Sequence, residues 1–233
     1  MKLWKKMLAA ATAGVLCLGS VGLSGVQGVL NWSGVELSAS AYVPDSYSGT
    51  YGDLYYNVTD AGEIEINGCE ESATTVEIPA EIDGKLVTSI GDDAFSRCKS
   101  LTEITIPDSV TNIGIGAFSR CSSLTKIEIP DSVTSIGSYA FDETPWLTAK
   151  QAKDPLVIVN HILIDGQTCT GAVSIPNGVT SIGGDAFSNC SGLTEITIPD
   201  SVTSIGDDAF SSCSGLTEIT IPDSVTNIGI GAF

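Results

Sequence analysis

The chain has 233 residues and a formal charge of −18, with 28 acidic residues against 10 basic ones. Because a chain this acidic repels polyanions on average, we expect neither a nucleic acid partner nor an anionic lipid surface as a target. Aromatic residues make up only 6% of the chain, while Ile, Val, Thr and Gly recur, a composition typical of many short strands and tight turns.

The N-terminal residues carry the features of an export signal. Three lysines among the first six residues precede the apolar residues 7–23, and a small-x-small cleavage site follows at residues 39–41. This pattern predicts a signal peptide over residues 1–41, a secreted or cell-surface protein, and no membrane insertion after cleavage. The alternative is a retained membrane anchor, because residues 7–30 carry no charge and are long enough to span a bilayer.

Residues 42–89 are predicted to form an N-terminal cap that ends in a first, degenerate repeat. Apolar residues alternate with polar ones at residues 54–58 and 63–66, on either side of a turn signal at residues 60–62. Residues 76–79 repeat, in altered form, the strand motif found later in the chain. An atypical first repeat is expected, because a terminal repeat must cover the end of the core.

A repeat dominates the rest of the chain. The motif Ile-Gly-x-x-Ala-Phe begins at Ile90, Ile113, Ile136, Ile182, Ile205 and Ile228. Successive copies lie 23 residues apart, except for one interval of 46 residues, which is two periods. We therefore predict a repeat array over residues 90–233 with an irregular insertion at residues 142–165.

Each repeat is predicted to be one coil that contains a short strand. In residues 193–213 the opening spacing L-x-x-I-x-I predicts a strand over residues 195–198, with Ile196 and Ile198 pointing inward. Pro199 ends the strand, because proline cannot donate a ladder hydrogen bond. One coil cannot bury its apolar face alone, so the coils are expected to stack at about 4.8 Å and to align their strands in a parallel sheet.

The second half of each coil is predicted to turn the chain back through the core. Gly206 allows a corner, and residues 207–210 are expected to open a short helical turn with carboxylates at its positive end. The ring of Phe210 is expected to fill the space between neighbouring coils.

The complete pattern, L-x-x-I-x-I-P-x-x-V-x-x-I-G-x-x-A-F-x-x-C over residues 72–233, resembles the BspA-like leucine-rich repeat family. The resemblance implies a leucine-rich repeat solenoid with a parallel β-sheet, short helical or irregular turns and a 23-residue period. Members of that family are mostly bacterial surface or secreted proteins, and several are implicated in adhesion to host proteins or to other cells. The resemblance therefore implies a binding or adhesion protein.

The insertion departs from the repeat in two ways. A helical turn is predicted at residues 147–153, and residues 156–159 and 162–164 are predicted to form a hairpin about Asn160 and His161. The insertion is either a protruding binding element or a coil variant that keeps the stack in phase. The interval of 46 residues favours the coil variant.

No catalytic site, cofactor or metal site is predicted. The chain has one histidine, which lies at a predicted turn. No second histidine is present to complete a Ser-His-Asp or Cys-His set elsewhere, so we expect no enzymatic activity. Acidic residues recur after Ile-Pro at Asp108, Asp131, Asp200 and Asp223. Two interpretations remain for them: stacked carboxylates that share Ca²⁺, or acceptors of hydrogen bonds within the following turn.

The cysteines are predicted to be packing residues. Four of them occupy one column of the repeat, at Cys98, Cys121, Cys190 and Cys213, while Cys69 and Cys169 lie outside it. The absence of a C-x-x-C pair argues against zinc. We expect buried, mostly reduced thiols; the alternative is oxidation in an extracellular compartment.

The outward positions of the strands form the predicted binding surface. These positions are Glu103, Thr105, Lys126, Glu128, Glu195, Thr197, Glu218 and Thr220. They are free of core packing and repeat along the stack, and they are mostly Glu or Thr, so the expected partner is an extracellular protein, basic for preference, or a glycan. The alternative binding element is the insertion, at residues 147–165.

Two further expectations concern the whole protein. The chain stops at Phe233 in the middle of a repeat, so we expect the array to be incomplete at its C-terminus. The alternative function is a non-catalytic scaffold region of a larger secreted modular protein, such as an enzyme whose catalytic part is missing here.

Overall fold

The computed structural model describes residues 29–32, 35–38 and 47–233, and side chains only within residues 47–233. The two strands of the first part, β1 (Val29–Trp32) and β2 (Val35–Ser38), pair antiparallel. The predicted signal peptide otherwise lies outside the described residues. In the described part of the chain, no helix is long and apolar enough to cross a membrane.

The N-terminal end of the array is covered by an antiparallel meander of three strands. These strands are β3 (Gly49–Tyr51), β4 (Leu54–Val58) and β5 (Ile64–Cys69). The last two match the strands predicted at residues 54–58 and 63–66. The meander leads into the array because β5 pairs in parallel with the first long strand of the repeats, β8 (Lys85–Ile90).

The next coils each supply one strand to each of two parallel sheets. The strands that precede the insertion are β6 (Thr75–Glu77), β7 (Glu81–Ile82), β9 (Glu103–Thr105), β10 (Asn112–Ile113), β11 (Lys126–Glu128) and β12 (Ser135–Ile136). One sheet runs in the order β6, β9, β11, and the other continues from β8 through β10 to β12. The solenoid and its 23-residue period are thereby confirmed, since Ile104 pairs with Ile127 and Ile113 with Ile136.

The insertion folds as a modified coil. It contains α1 (Pro145–Gln151), β13 (Val157–Val159) and β14 (Ile162–Asp165). Thr144 caps the helix, since its Oγ1 accepts a hydrogen bond from the Leu147 N–H at 3.1 Å. The predicted hairpin is present, because β13 and β14 pair antiparallel, and β14 then pairs in parallel with the next repeat strand, β16 (Ser181–Ile182).

The second group of coils repeats the arrangement of the first. Its remaining strands are β15 (Gly171–Ser174), β17 (Leu193–Thr197), β18 (Ser204–Ile205) and β19 (Asn227–Ile228). One parallel sheet holds β15 and β17, and the other runs β14, β16, β18, β19. The strand predicted at residues 195–198 therefore begins two residues earlier, at Leu193.

A column of stacked phenylalanine rings forms the centre of the core on each side of the insertion. Ring centroids are 5.2 Å apart for Phe95 and Phe118 and 5.1 Å apart for Phe187 and Phe210, with nearly parallel planes. In the first group Trp146 of α1 packs on the last ring of the column. The prediction that Phe210 fills the space between coils is confirmed, since that ring is 2% exposed and contacts a neighbour on both sides.

The prediction of a helical turn at residues 207–210 is wrong, because these residues form hydrogen-bonded turns and no helix. Asp208 has a φ of 52°, a left-handed conformation that a right-handed helix does not contain. The neighbouring carboxylate bridges two coils instead, since Asp207 Oδ1 accepts a hydrogen bond from the Ile230 N–H at 2.7 Å. Asp92 makes the same bond to the Ile115 N–H at 2.7 Å.

The described cysteines are free, and five of the six are buried while Cys213 is half-buried. Their thiols hydrogen-bond within the core: Cys121 Sγ donates to the Phe95 carbonyl at 2.9 Å, and the sulfurs of Cys69 and Cys98 lie 3.4 Å apart. Burial raises the pKa of the Cys121 thiol to about 12, and burial also raises the pKa of Cys190 to about 12. Burial therefore favours the protonated, less reactive form of the Cys121 and Cys190 thiols at neutral pH.

We expect the native protein to resist thiol alkylation. Iodoacetamide at pH 7.5 should modify Cys121 and Cys190 only slowly in the folded state, because the thiolate is the nucleophile and both thiols are buried in protonated form. Peptide mass spectrometry after alkylation, with and without urea, measures the difference. Complete alkylation only after reduction of the unfolded chain would show that these cysteines are oxidised and would contradict the packing role.

Candidate binding surface

The outward side chains of β9, β11 and β17, with those of residues 217–220, form what we term the binding face. Thr105, Lys126, Glu128, Glu195, Thr197, Glu218 and Thr220 are exposed, and Glu103 is half-buried. The inward residues between them, Ile104, Ile127 and Ile196, are buried. Strand alternation thus places the predicted residues in solvent, as the sequence indicated.

The binding face is divided into two parts that lie on separate sheets. Glu103, Thr105, Lys126 and Glu128 lie on the sheet of β6, β9 and β11, while Glu195 and Thr197 lie on the separate sheet of β15 and β17. The helix of the insertion causes the division. The Trp146 N–H donates to the Leu124 carbonyl at 3.0 Å, so α1 bonds to the chain just before β11, at the position that another coil would occupy.

An ion pair neutralises part of the first sheet's surface. Lys126 lies directly beside Glu103 in the strand register, and its Nζ contacts Glu103 Oε1 at 2.5 Å. The hydrogen bond from Lys126 and the charge of Glu103 raise the pKa of the lysine. The unpaired negative charge of this surface therefore lies on the neighbouring column, where Glu77, Thr105 and Glu128 align across three strands.

Glu77 is a further residue of this surface and is not one of the predicted binding residues. It is exposed and lies in register with Thr105, because β6 pairs in parallel with β9. The signal was present in the degenerate repeat Val76-Glu77-Ile78-Pro79, which has the same outward position as Thr-Ile-Pro in the later coils.

The second part of the binding face surrounds an open cleft of about 550 Å³ between β17 and residues 217–222. We term it the acidic cleft. Its lining includes Glu195, Thr197, Glu218, Thr220 and Asp200, of which the first four belong to the predicted binding residues. The structure therefore brings half of the predicted residues together around one cavity.

The acidic cleft is open because residues 216–222 form no hydrogen bond with the previous coil, whereas the residues on either side of them lie close to it. Gly215 lies so close to the previous coil that a Cβ atom there would be 2.5 Å from the Ser191 carbonyl oxygen. Further along, the Thr226 N–H donates to the Thr203 carbonyl at 2.9 Å. Between these two contacts residues 216–222 form no strand, and Ile219 and Ile221 are only partly buried.

The aspartates after Ile-Pro neither assemble a metal site nor close the turns. Among residues 29–32, 35–38 and 47–233, no group of three or more His, Cys, Asp or Glu residues is placed to hold a metal ion. The turns are closed by the backbone, as in the bond from the Val202 N–H to the Pro199 carbonyl at 3.0 Å. The serine that follows the aspartate links the coils, since Ser201 Oγ donates to the Val179 carbonyl at 2.7 Å.

The insertion hairpin is held against the neighbouring coils. Asn160 Nδ2 donates to the Pro130 carbonyl at 2.6 Å and to the Val133 carbonyl at 3.1 Å, and His161 Nδ1 lies 2.9 Å from the Gly178 carbonyl oxygen. Leu163, a residue of β14, is completely buried. These contacts support the coil variant and not the protruding element.

One buried carboxylate connects the insertion helix to its strand. Asp165 is 5% exposed, and its Oδ2 accepts a hydrogen bond from Gln151 Nε2 at 2.9 Å. Burial raises the pKa of this carboxyl group. The sequence indicated no such role, because Gln151 and Asp165 meet only after α1 has packed against β14.

The family model of the BspA type leucine rich repeat region matches this chain in six copies, over residues 55–157 and 166–233. No protein with a curated description matches the chain. Among solved structures, the leucine rich repeat protein of T. pallidum is 27% identical, with a TM-score of 0.50 over 79% of this chain and 87% of that one.

Two other similar structures belong to longer proteins. A leucine rich cell surface protein from Faecalibacterium prausnitzii is 31% identical with a TM-score of 0.48, and the match covers 83% of this chain and 53% of that one. A leucine-rich repeat protein from Bacteroides ovatus is 29% identical with a TM-score of 0.44, and the match covers 80% of this chain and 50% of that one. This chain thus spans about half the length of each of these two proteins.

Proposed function

Because this chain belongs to the BspA type leucine rich repeat family, we propose that it is a secreted or cell-surface protein that attaches to an extracellular protein or a glycan through the binding face. Repeat solenoids of this kind commonly bind partners over extended surfaces. The adhesive role, the extracellular location and the choice of face are parts of this proposal.

The observation that carries the proposal is the exposure of a repeated set of Glu and Thr side chains on strands whose other face is core. Glu128, Glu195 and Glu218 are exposed, and Ile127 and Ile196 beside them are buried. A substitution on the outward side therefore changes the surface without changing the core. Carboxylates at these positions attract cationic protein segments, and hydroxyl groups suit glycans.

Reversal of two charges on the binding face is expected to weaken attachment. The variant Glu128→Lys with Glu195→Lys should bind immobilised extracellular-matrix proteins or glycans roughly tenfold more weakly, a change of about 1.4 kcal/mol. Binding of the unchanged protein to basic partners should also decrease with added salt, because exposed charges are screened. Surface plasmon resonance at low and high ionic strength measures both effects.

Two comparison variants complete this test. Asp60→Lys with Glu71→Lys makes the same change in net charge at exposed turn residues outside these strands and should leave binding unchanged. Lys153→Glu with His161→Ala alters exposed residues of the insertion while Leu163 stays in the core. If binding were lost only in the insertion variant, the binding face would not be the site of attachment.

A further inference from the structure

One long edge of β17 has no strand partner in the described chain. β17 pairs in parallel with β15 on one side, and these two strands make up their whole sheet. In the first group of coils, by contrast, β9 has a partner on each side. The other edge of β17 faces the acidic cleft and residues 217–222.

The backbone groups on the free edge can be identified from the pairing on the opposite edge. The Thr197 carbonyl accepts a hydrogen bond from the Ile175 N–H at 3.0 Å, on the side of β15. Backbone groups of successive strand residues point to opposite edges, so the N–H and C=O groups of Ile196 point into the cleft. A free strand edge of this kind is a template for another strand.

The side chains around this edge select a particular strand. The lining of the cleft includes the carboxylates of Glu195, Asp200 and Glu218 and contains no Lys or Arg. Ile196, Ile198 and Pro222 add apolar groups to the lining, and Ile196 is only 5% exposed. The cleft volume of about 550 Å³ falls within the range of ligand sites.

We infer that the acidic cleft receives an extended, basic peptide segment of a partner protein, which adds to the free edge of β17 as a further strand. Its outward side chains, lysine or arginine, lie beside Glu195 and Glu218, and the side chain between them, apolar and preferably β-branched, covers Ile196. Backbone hydrogen bonds supply affinity and the side chains supply selectivity, as in other cases of strand addition. This inference rests on the proposed function, since it names the partner chemistry of one part of the binding face.

The test uses the whole chain and two short synthetic peptides of equal length and charge, with blocked ends. One alternates lysine with valine, and the other alternates lysine with proline, which lacks the N–H needed for strand pairing. We expect the valine peptide to bind, measured by fluorescence polarisation, and to slow hydrogen exchange of the Ile196 amide, measured by NMR. The proline peptide should bind at least roughly tenfold more weakly and should give no protection.

Two variants locate the site. Glu195→Lys with Glu218→Lys should weaken binding of the valine peptide roughly tenfold, because it reverses the charges that attract the peptide. Glu128→Lys, on the other sheet, should leave peptide binding unchanged while it still weakens attachment to extracellular partners. That difference separates failure of this inference from failure of the proposed function.

Several outcomes would overturn the inference. Equal binding of the two peptides without amide protection would mean attraction by charge alone. Binding that survives Glu195→Lys with Glu218→Lys but is lost in Glu128→Lys would place the peptide on the first sheet. Protection of the Ile196 amide before any peptide is added would mean that residues 217–221 already occupy the edge of β17.

Discussion

Replacement of Phe118 by alanine is expected to lower the free energy of unfolding by about 3–5 kcal/mol. The ring is completely buried and stacks on two others, Phe95 at 5.2 Å and Phe141 at 5.5 Å between centroids. Its removal leaves a cavity between three coils, and these coils cannot collapse into it because their spacing is held by parallel strands on both sheets. Urea denaturation followed by circular dichroism measures the loss.

Phe233→Ala is the matched control, because Phe233 has the same place in the repeat but lies at the end of its column. Phe233 is 57% exposed and stacks only on Phe210, at 5.6 Å. We expect its replacement to cost less than about 1.5 kcal/mol, in proportion to the smaller area that it removes from water. Equal costs at Phe118 and Phe233 would mean that the stacked column does not stabilise the fold.

The core could be predicted from the sequence because each coil buries the same positions of the repeat. Ile104, Ile127 and Ile196 recur at the same place in the repeat, and an apolar residue that recurs with the period of a solenoid must face the shared interior. All three are buried. The outward exposure of the predicted binding residues follows by strand alternation, so it could be predicted with the same argument.

The acidic cleft could not be predicted, because its two walls have the same sequence. Residues 193–198 and 216–221 both read Leu-Thr-Glu-Ile-Thr-Ile. The first segment contains β17 and buries Ile196, whereas the second forms no strand and leaves Ile219 partly exposed. Local propensity is identical in the two segments, so the difference arises only from tertiary pairing.

The division of the binding face depends on a single packing event. A helical turn in the insertion could be predicted, but its position against β11 is set by the bond between the Trp146 N–H and the Leu124 carbonyl and by the contact of Trp146 with Phe141. These partners are separated in sequence and belong to different parts of the repeat. The interval of 46 residues indicated that the stack stays in phase, and it gave no information about which sheet is interrupted.

Gly206→Ala is expected to lower the free energy of unfolding by about 1–3 kcal/mol through steric conflict between coils. The sequence suggested that Gly206 allows a corner, but its φ is not in the left-handed region, and the close approach of the neighbouring coil explains the glycine. A Cβ atom at residue 206 would be 2.4 Å from the Gly184 nitrogen and 2.8 Å from the Gly183 carbonyl carbon. Both are backbone atoms, so they cannot rotate away as a side chain can.

Gly183→Ala is the matched control for Gly206→Ala, since it makes the same change at the same place in the previous coil. Its Cβ atom would meet the Leu163 carbonyl oxygen at 3.0 Å, and the next atom, Ile164 Cα, lies at 3.7 Å. A contact of 3.0 Å needs only a small shift, so we expect thermal denaturation to show a loss of stability at residue 183 smaller by at least about 1 kcal/mol. Only the distance to the neighbouring backbone distinguishes the two sites. If the two variants unfolded at the same temperature, the conformational propensity of alanine would therefore explain both losses of stability, and the spacing of the coils would explain neither.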